Sequence, residues 1–138
     1  MGSLRSAPQL VCVDPGRVDC FWPLVAPLLK AAITRTNLDR FSDIERDVLS
    51  GRSLLWLAWS DHVEAAATTI LTETDAERIC VLTACGGRDM KRWLPLLEII
   101  EAYARAEGCS RLRIFGRKGW QRMLENYRVT NIILERSL

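Results

Sequence analysis

The residues best suited to chemistry in this chain of 138 are Gly86-Gly87-Arg88-Asp89-Met90-Lys91-Arg92-Trp93. Two glycines and three basic side chains follow an apolar, β-favouring run at 79–85 and precede a stretch with helical spacing. A strand that enters a helix through such a turn presents backbone N–H groups and the positive end of a dipole, which is a ready anion site. A ligand carrying phosphate is the natural candidate. A second basic turn, Gly116-Arg117-Lys118-Gly119, opens the last helical stretch. Other reactive types are sparse. His62, the single histidine, falls in an expected hairpin turn and reads as exposed. Cys85 lies at a strand end before a helix, where a thiolate would be stabilised, but no histidine is near it in sequence, so it reads as a small buried hydrophobe. Cys80 and Cys85 are an odd number of residues apart on one strand and are expected on opposite faces. With one His and scattered Cys, no metal-ligand spacing is present.

Positioning these residues requires a sheet with helices on it. A strand at 10–13 ends in the turn Asp14-Pro15-Gly16. A helix is expected from about Pro23 to Arg35, with Pro23 at its first position and Pro27 kinking or delaying its start. Ser42-Asp43-Ile44-Glu45 reads as a capping box for a short second helix that stops at Gly51. Runs at 54–59, 63–72 and 79–85 read as an antiparallel meander. Trp56 and Trp59 have opposite parity, so one is expected in the core and the other on the surface. Trp93, Leu96, Leu97, Ile100, Tyr103 and Ala104 form the apolar stripe of a central helix that Gly108 stops. A strand at 111–115 follows, then a short helix burying Trp120, Met123, Leu124 and Tyr127, and a closing strand at 129–135. The order is β-α-α-β-β-β-α-β-α-β, a single mixed α/β (α+β) domain over 9–138 behind a frayed leader at 1–8.

Bulk properties narrow the class. Apolar residues make up 49% and charged residues 26%, the balance of a soluble globular domain. The longest apolar run, 21–29, is broken by two prolines and is too short to span a membrane. No secretory signal pattern opens the chain, and five cysteines without a C-x-x-C pair suit reduced thiols in the cytoplasm. Residues 1–87 carry a net charge of −3 and residues 88–138 a net charge of +5. That asymmetry suits an anionic ligand and is too mild to make nucleic acid the main partner.

This element order, with the text from Leu96 to Cys109 and its Ala104-x-x-x-Gly108-Cys109 ending before Leu112 and Ile114, resembles the GNAT superfamily of N-acetyltransferases over residues 10–138. The resemblance implies acetyl-CoA as cofactor, lying in a V between the fourth and fifth strands with its pyrophosphate on the turn. Gly86, Gly87, Arg88, Met90, Lys91, Arg92 and Trp93 would then bind it, with Arg117 and Lys118 at the adenosine phosphates. It also implies direct transfer of acetyl to an amine-bearing acceptor. A carboxylate would take the amine's proton, Glu64 being the candidate with Glu73 and Glu77 behind it, and Tyr127 would serve as acid for the departing thiolate. The family's small phosphate-turn positions fall on Lys91 and Trp93, its usual acid on Leu124, and the usual Gly and Phe after it on Arg128 and Val129. Two readings therefore stand. One is an acetyl-CoA-dependent N-acetyltransferase of the cytoplasm. The other is an inactive GNAT-like interaction module, resembling proteins of phages and prophages, some of them virion components. Exposed strand or Trp patches would favour a homo-oligomer or a larger protein complex.

Overall fold

The first long helix begins earlier than its prolines suggest. The structure, a computed structural model, describes residues 6–116 and 118–138, with Lys118 described by its backbone alone. After strand β1 (Gln9–Cys12) and a 3-10 turn capped by Asp14, helix α1 runs Val18–Thr36 with both Pro23 and Pro27 inside it. Val18, Trp22, Val25, Leu29 and Ile33 are buried at helical spacing. The two prolines are four apart and exposed on the opposite face. The carbonyls that lose a partner, those of Asp19 and Pro23, therefore belong to solvent-facing positions where water can satisfy them. Burial of the other face outweighs the missing bonds. Asn37, at φ 52°, ends the helix in the left-handed region and donates its N–H to the Ile33 carbonyl.

Helix α2 (Phe41–Leu49) has Arg40 at its N-cap and no side-chain cap, so the expected capping box at Ser42 does not form. Glu45, its would-be second member, accepts instead from the indole N–H of Trp22 at 2.7 Å, tying α2 to α1. Gly51, at φ 82°, stops this helix as expected. The meander then appears as read: β2 (Leu54–Trp59), β3 (Val63–Glu73) and β4 (Arg78–Gly87) pair antiparallel in sequence, with β1 on the outer edge of β2. Trp56 is buried and gives its N–H to Thr69 Oγ1 at 2.9 Å, while Trp59 is 43% exposed. The expected central helix arrives in pieces, as α3 (Met90–Trp93), a 3-10 turn over Leu94–Leu96 that holds Pro95, and α4 (Leu97–Ala106). Strand β5 (Arg111–Ile114) joins β4 in parallel, making a mixed five-stranded sheet in the order β1-β2-β3-β4-β5. Helices cover both faces: α1 and α2 pack on Leu55, Leu57, Ala66 and Ala84, and the α3–α4 segment on Trp56, Ala58, Ala65 and Leu82.

One expectation fails at the C-terminal end. After α5 (Lys118–Met123) no strand forms: residues 129–135 have no ladder partner among the described residues, and Ile132 and Leu134 are 80% and 91% exposed. β propensity needs a neighbouring strand and a face to bury, and neither reaches this segment. At the other end, residues 6–8 touch the body of the fold. Pro8 is buried, and the Ser6 carbonyl accepts from Arg92 at 2.7 Å.

Gly86 lies within β4, and a Cβ built there would stand 2.4 Å from the Leu28 carbonyl oxygen of α1. Gly86→Ala must push α1 off the sheet, and chemical denaturation should show a loss of about 1–3 kcal/mol. At the far end of β4, Glu77 accepts from Ser110 Oγ and from Arg111 Nε, which hold its carboxyl below the ordinary value. That contribution is present above the unfolded pKa of about 4.3 and is lost as pH falls through the lower folded value. Glu77→Gln should therefore melt below the wild type at pH 7, with the gap closing by about pH 3 in a pH series of thermal melts.

Candidate functional site

The site is set by one extra residue in β4. Thr68 of β3 pairs with Ala84 and Thr69 pairs with Leu82, which leaves Thr83 between them as a bulge. The Thr83 hydroxyl bonds Thr68 Oγ1 at 2.7 Å and fixes the bulge in place. Beyond it the alternation of faces is reversed. Ala84 and Gly86 turn to α1, while Cys85 joins Leu82 on the α4 face. This corrects the expectation for Cys80 and Cys85: the inserted residue cancels the odd spacing, so the two thiols share a face. Burial pushes the Cys85 thiol up to about 12, so it stays neutral near pH 7 and is the small hydrophobe the sequence suggested.

The bulge also marks where β4 and β5 part. Their parallel pairing ends at Leu82 and Ile114, although β4 continues to Gly87. The gap that opens is a cavity of about 260 Å³. One wall is β4 from Leu82 to Gly87, another is Ile114 to Gly116, and the C-terminal turn of α1 closes one side and Trp93 with Trp120 the other. Arg35 and Asp89 are the charged residues among its described lining. Arg35 and Thr83 went unnoticed as site residues in the sequence. Arg35 carries no motif, and a bulge leaves no compositional mark.

The expected cofactor residues divide by position. Gly86, Gly87, Met90 and Trp93 line the cavity. Both glycines are strand residues packed against backbone, since a Cβ on Gly87 would stand 2.5 Å from the Glu64 carbonyl oxygen. Their immediate task is close approach of α1 and β3. Arg88 and Lys91 are exposed beside the turn. Arg92 is engaged elsewhere: its Nε and an Nη donate to the two carboxylate oxygens of Glu64 at 2.6 and 2.9 Å. That pair raises the guanidinium's pKa and keeps it charged. The indole of Trp93 packs on Ala58 and Ala65 and donates to the Arg88 carbonyl at 2.7 Å, so its bulk lies against the sheet. Arg117 and the Lys118 side chain lie outside the described residues.

The expected catalytic residues are placed differently. Glu64 is buried in its ion pair with Arg92, a structural task in place of a waiting base. Glu73 and Glu77 sit at the opposite end of β3 and β4 from the bulge. His62 is exposed and bonds Asp61 at 2.6 Å. Tyr127 donates its hydroxyl to Glu101 of α4, its pKa is raised first by burial and then by that bond, and it is not among the described residues lining the cavity. The turn after α5 directs it at α4, away from the gap. Among the described residues no cluster could hold a metal ion, and no helix is long and apolar enough to cross a membrane.

No protein-family model matches the sequence, and no curated protein matches it. Solved structures do match the fold. A probable acetyltransferase superposes with a TM-score of 0.66 at 18% identity, over 94% of this chain and 99% of the other. A predicted acetyltransferase from Clostridium acetobutylicum, solved with acetyl-CoA, gives 0.63 at 12% identity over 94% and 96%. A GNAT family acetyltransferase from Staphylococcus aureus gives 0.64 at 9% identity over 96% and 100%. Identities this low carry the fold and nothing finer. The mixed sheet, the parting of β4 from β5 and these superpositions agree: the chain has the fold of the GNAT acetyltransferases.

Proposed function

We propose that this protein is an acyl-CoA-dependent N-acetyltransferase whose thioester lies in the gap between β4 and β5. The observation that carries this reading is the coincidence of the Thr83 bulge with the point where the two strands separate. The chain's own residues fit the thioester arm of acetyl-CoA. Past Leu82, β4 has an edge without a β5 partner, where the amide groups of an extended ligand find strand-like hydrogen bonds. Gly86 and Gly87 keep the floor flat. At the phosphate end, Arg88 and Lys91 are the exposed cations of the turn, and Asp89 opposes them.

Bound there, acetyl-CoA supplies an activated acyl carbon. The neutral amine attacks that carbon, the C–N bond forms, the C–S bond breaks, the amine's proton leaves to solvent and the CoA sulfur takes up a proton. A bulge turns a backbone amide out of the ladder. The Thr83 N–H is the donor we assign to the thioester oxygen, on which negative charge grows during attack. With Glu64 held by Arg92 and Tyr127 by Glu101, proton traffic runs through water at the mouth of the gap. The acceptor is an amine entering from the α1 side, where Arg35 and Thr36 line the opening.

A thermal-shift titration with acetyl-CoA tests the binding half of this reading. At about 100 times the dissociation constant the ligand should add about 2.7 kcal/mol, a shift of several degrees. Arg88→Ala should move the midpoint to higher ligand concentration. A flat melting temperature up to millimolar acetyl-CoA would sink the proposal. The catalytic half is tested by Thr83→Pro, which removes that N–H at a position where a bulge tolerates proline. Thiol release from acetyl-CoA across a panel of amines should fall by about 100-fold or more, with acetyl-CoA binding largely kept. An unchanged rate in a folded variant would remove Thr83 from the mechanism.

A further inference from the structure

A second, smaller cavity lies on the α4 side of the sheet, with a volume of about 30 Å³. Its walls are apolar: Trp56, Ala58, Ala65 and Ala67 from β2 and β3 face Leu97 and Ile100 from α4. It shares Leu82, Cys85, Trp93 and Trp120 with the larger gap, so the two spaces have a common wall. Leu82 and Cys85 are the residues on either side of the Thr83–Ala84 bulge, and they reach the same face because the bulge reverses the alternation. Trp93 and Trp120, with ring centroids 6.3 Å apart, form the rest of the partition.

Three alanines on paired strands keep this space open where larger residues would otherwise fill it. An apolar space of this size has no polar partners to hold a water and stays dry. It adjoins the point at which the proposed thioester carbon sits, on the face of β4 opposite α1 and the incoming amine. The amine attacks roughly perpendicular to the thioester plane, so the alkyl chain, which lies in that plane, runs alongside the line of attack, and the apolar space that shares a wall with the gap can receive it.

We infer that the small cavity is an acyl pocket, and that the preferred donor is a CoA thioester with a short straight chain about one or two carbons longer than acetyl. This rests on the acyl-CoA reading above. The same bond changes apply: the C–S bond breaks, the C–N bond forms, and the longer acyl group goes to the amine. Each added methylene that enters the pocket should tighten binding about fourfold. A chain too long for the pocket cannot seat there and should lose that gain.

Isothermal titration with CoA, acetyl-CoA, propionyl-CoA and hexanoyl-CoA on the whole chain reads this directly. Propionyl-CoA should bind about fourfold tighter than acetyl-CoA, and hexanoyl-CoA no tighter than acetyl-CoA. Ala67→Val, which fills the pocket, should erase the propionyl advantage. Leu97→Ala, which enlarges it, should move the optimum to the longer chain, a gain that simple loss of stability would not produce. Equal binding of acetyl- and propionyl-CoA, or a propionyl advantage that survives in folded Ala67→Val, would overturn the pocket and leave the acetyltransferase reading intact. Failure of all four ligands to bind would overturn both.

Discussion

One inserted residue in β4 organises the middle of this molecule. A strand alternates strictly, so an extra residue at Thr83 moves every later side chain to the other face. Ala84 and Gly86 are thereby sent to α1, which needs small residues because its backbone runs close to the strand. Cys85 is sent to the α4 side, where a small apolar thiol packs against the clusters that hold Leu82 and Trp93. Bulges also bend and twist the strand that carries them. That bend accounts for the end of β4–β5 pairing at Leu82 and Ile114 and hence for the gap. The close approach of α1, the opening of the sheet and the apolar partition behind it therefore share a cause.

The turn beyond β4 is held by side chains more than by its own helix. A helix of four residues, as α3 is, has too few internal bonds to maintain itself. Arg92 compensates by reaching back to Glu64 on β3 and to the Ser6 carbonyl ahead of β1. Trp93 adds a bond to the Arg88 carbonyl. Asp89 enters the helix at φ 54°, in the left-handed region that Asn and Asp tolerate better than most residues. An ion pair with one member almost fully buried is costly to form and more costly to break. Placing it beside the turn fixes the backbone there and leaves Arg88 and Lys91 as the turn's exposed cations.

Much of the fold was legible in the sequence because burial imposes periodicity. The strands β2 to β5, the stripe of α4, the stops at Gly51 and Gly108 and the opposite fates of Trp56 and Trp59 follow from apolar spacing and positive-φ glycine. What escaped depends on partners distant in sequence. The start of α1 was misplaced because proline penalties were weighed without knowing that both rings face water. Glu45 looked like a cap until Trp22, 23 residues away, claimed its carboxylate. Arg92 and Tyr127 had the right types for phosphate and proton work, and Glu64 and Glu101 took them. The bend between β4 and α3 falls where it was expected, whereas Gly86 and Gly87 proved to be strand residues set for packing.

Residues 129–135 show the limit of local reasoning most plainly. Val129, Ile132, Ile133 and Leu134 have the composition of a strand, yet all are exposed and unpaired among the described residues. In β2 the same kind of residue is buried, because β1 and β3 flank it and helices cover both its faces. Side-chain type sets how much a segment gains from joining a sheet, and the chain's path decides whether an edge is within reach. Here the path out of α5 is fixed by Tyr127 on Glu101, which holds the root of the segment against α4. The same contact that takes Tyr127 away from the gap thus also sets where the final apolar residues begin.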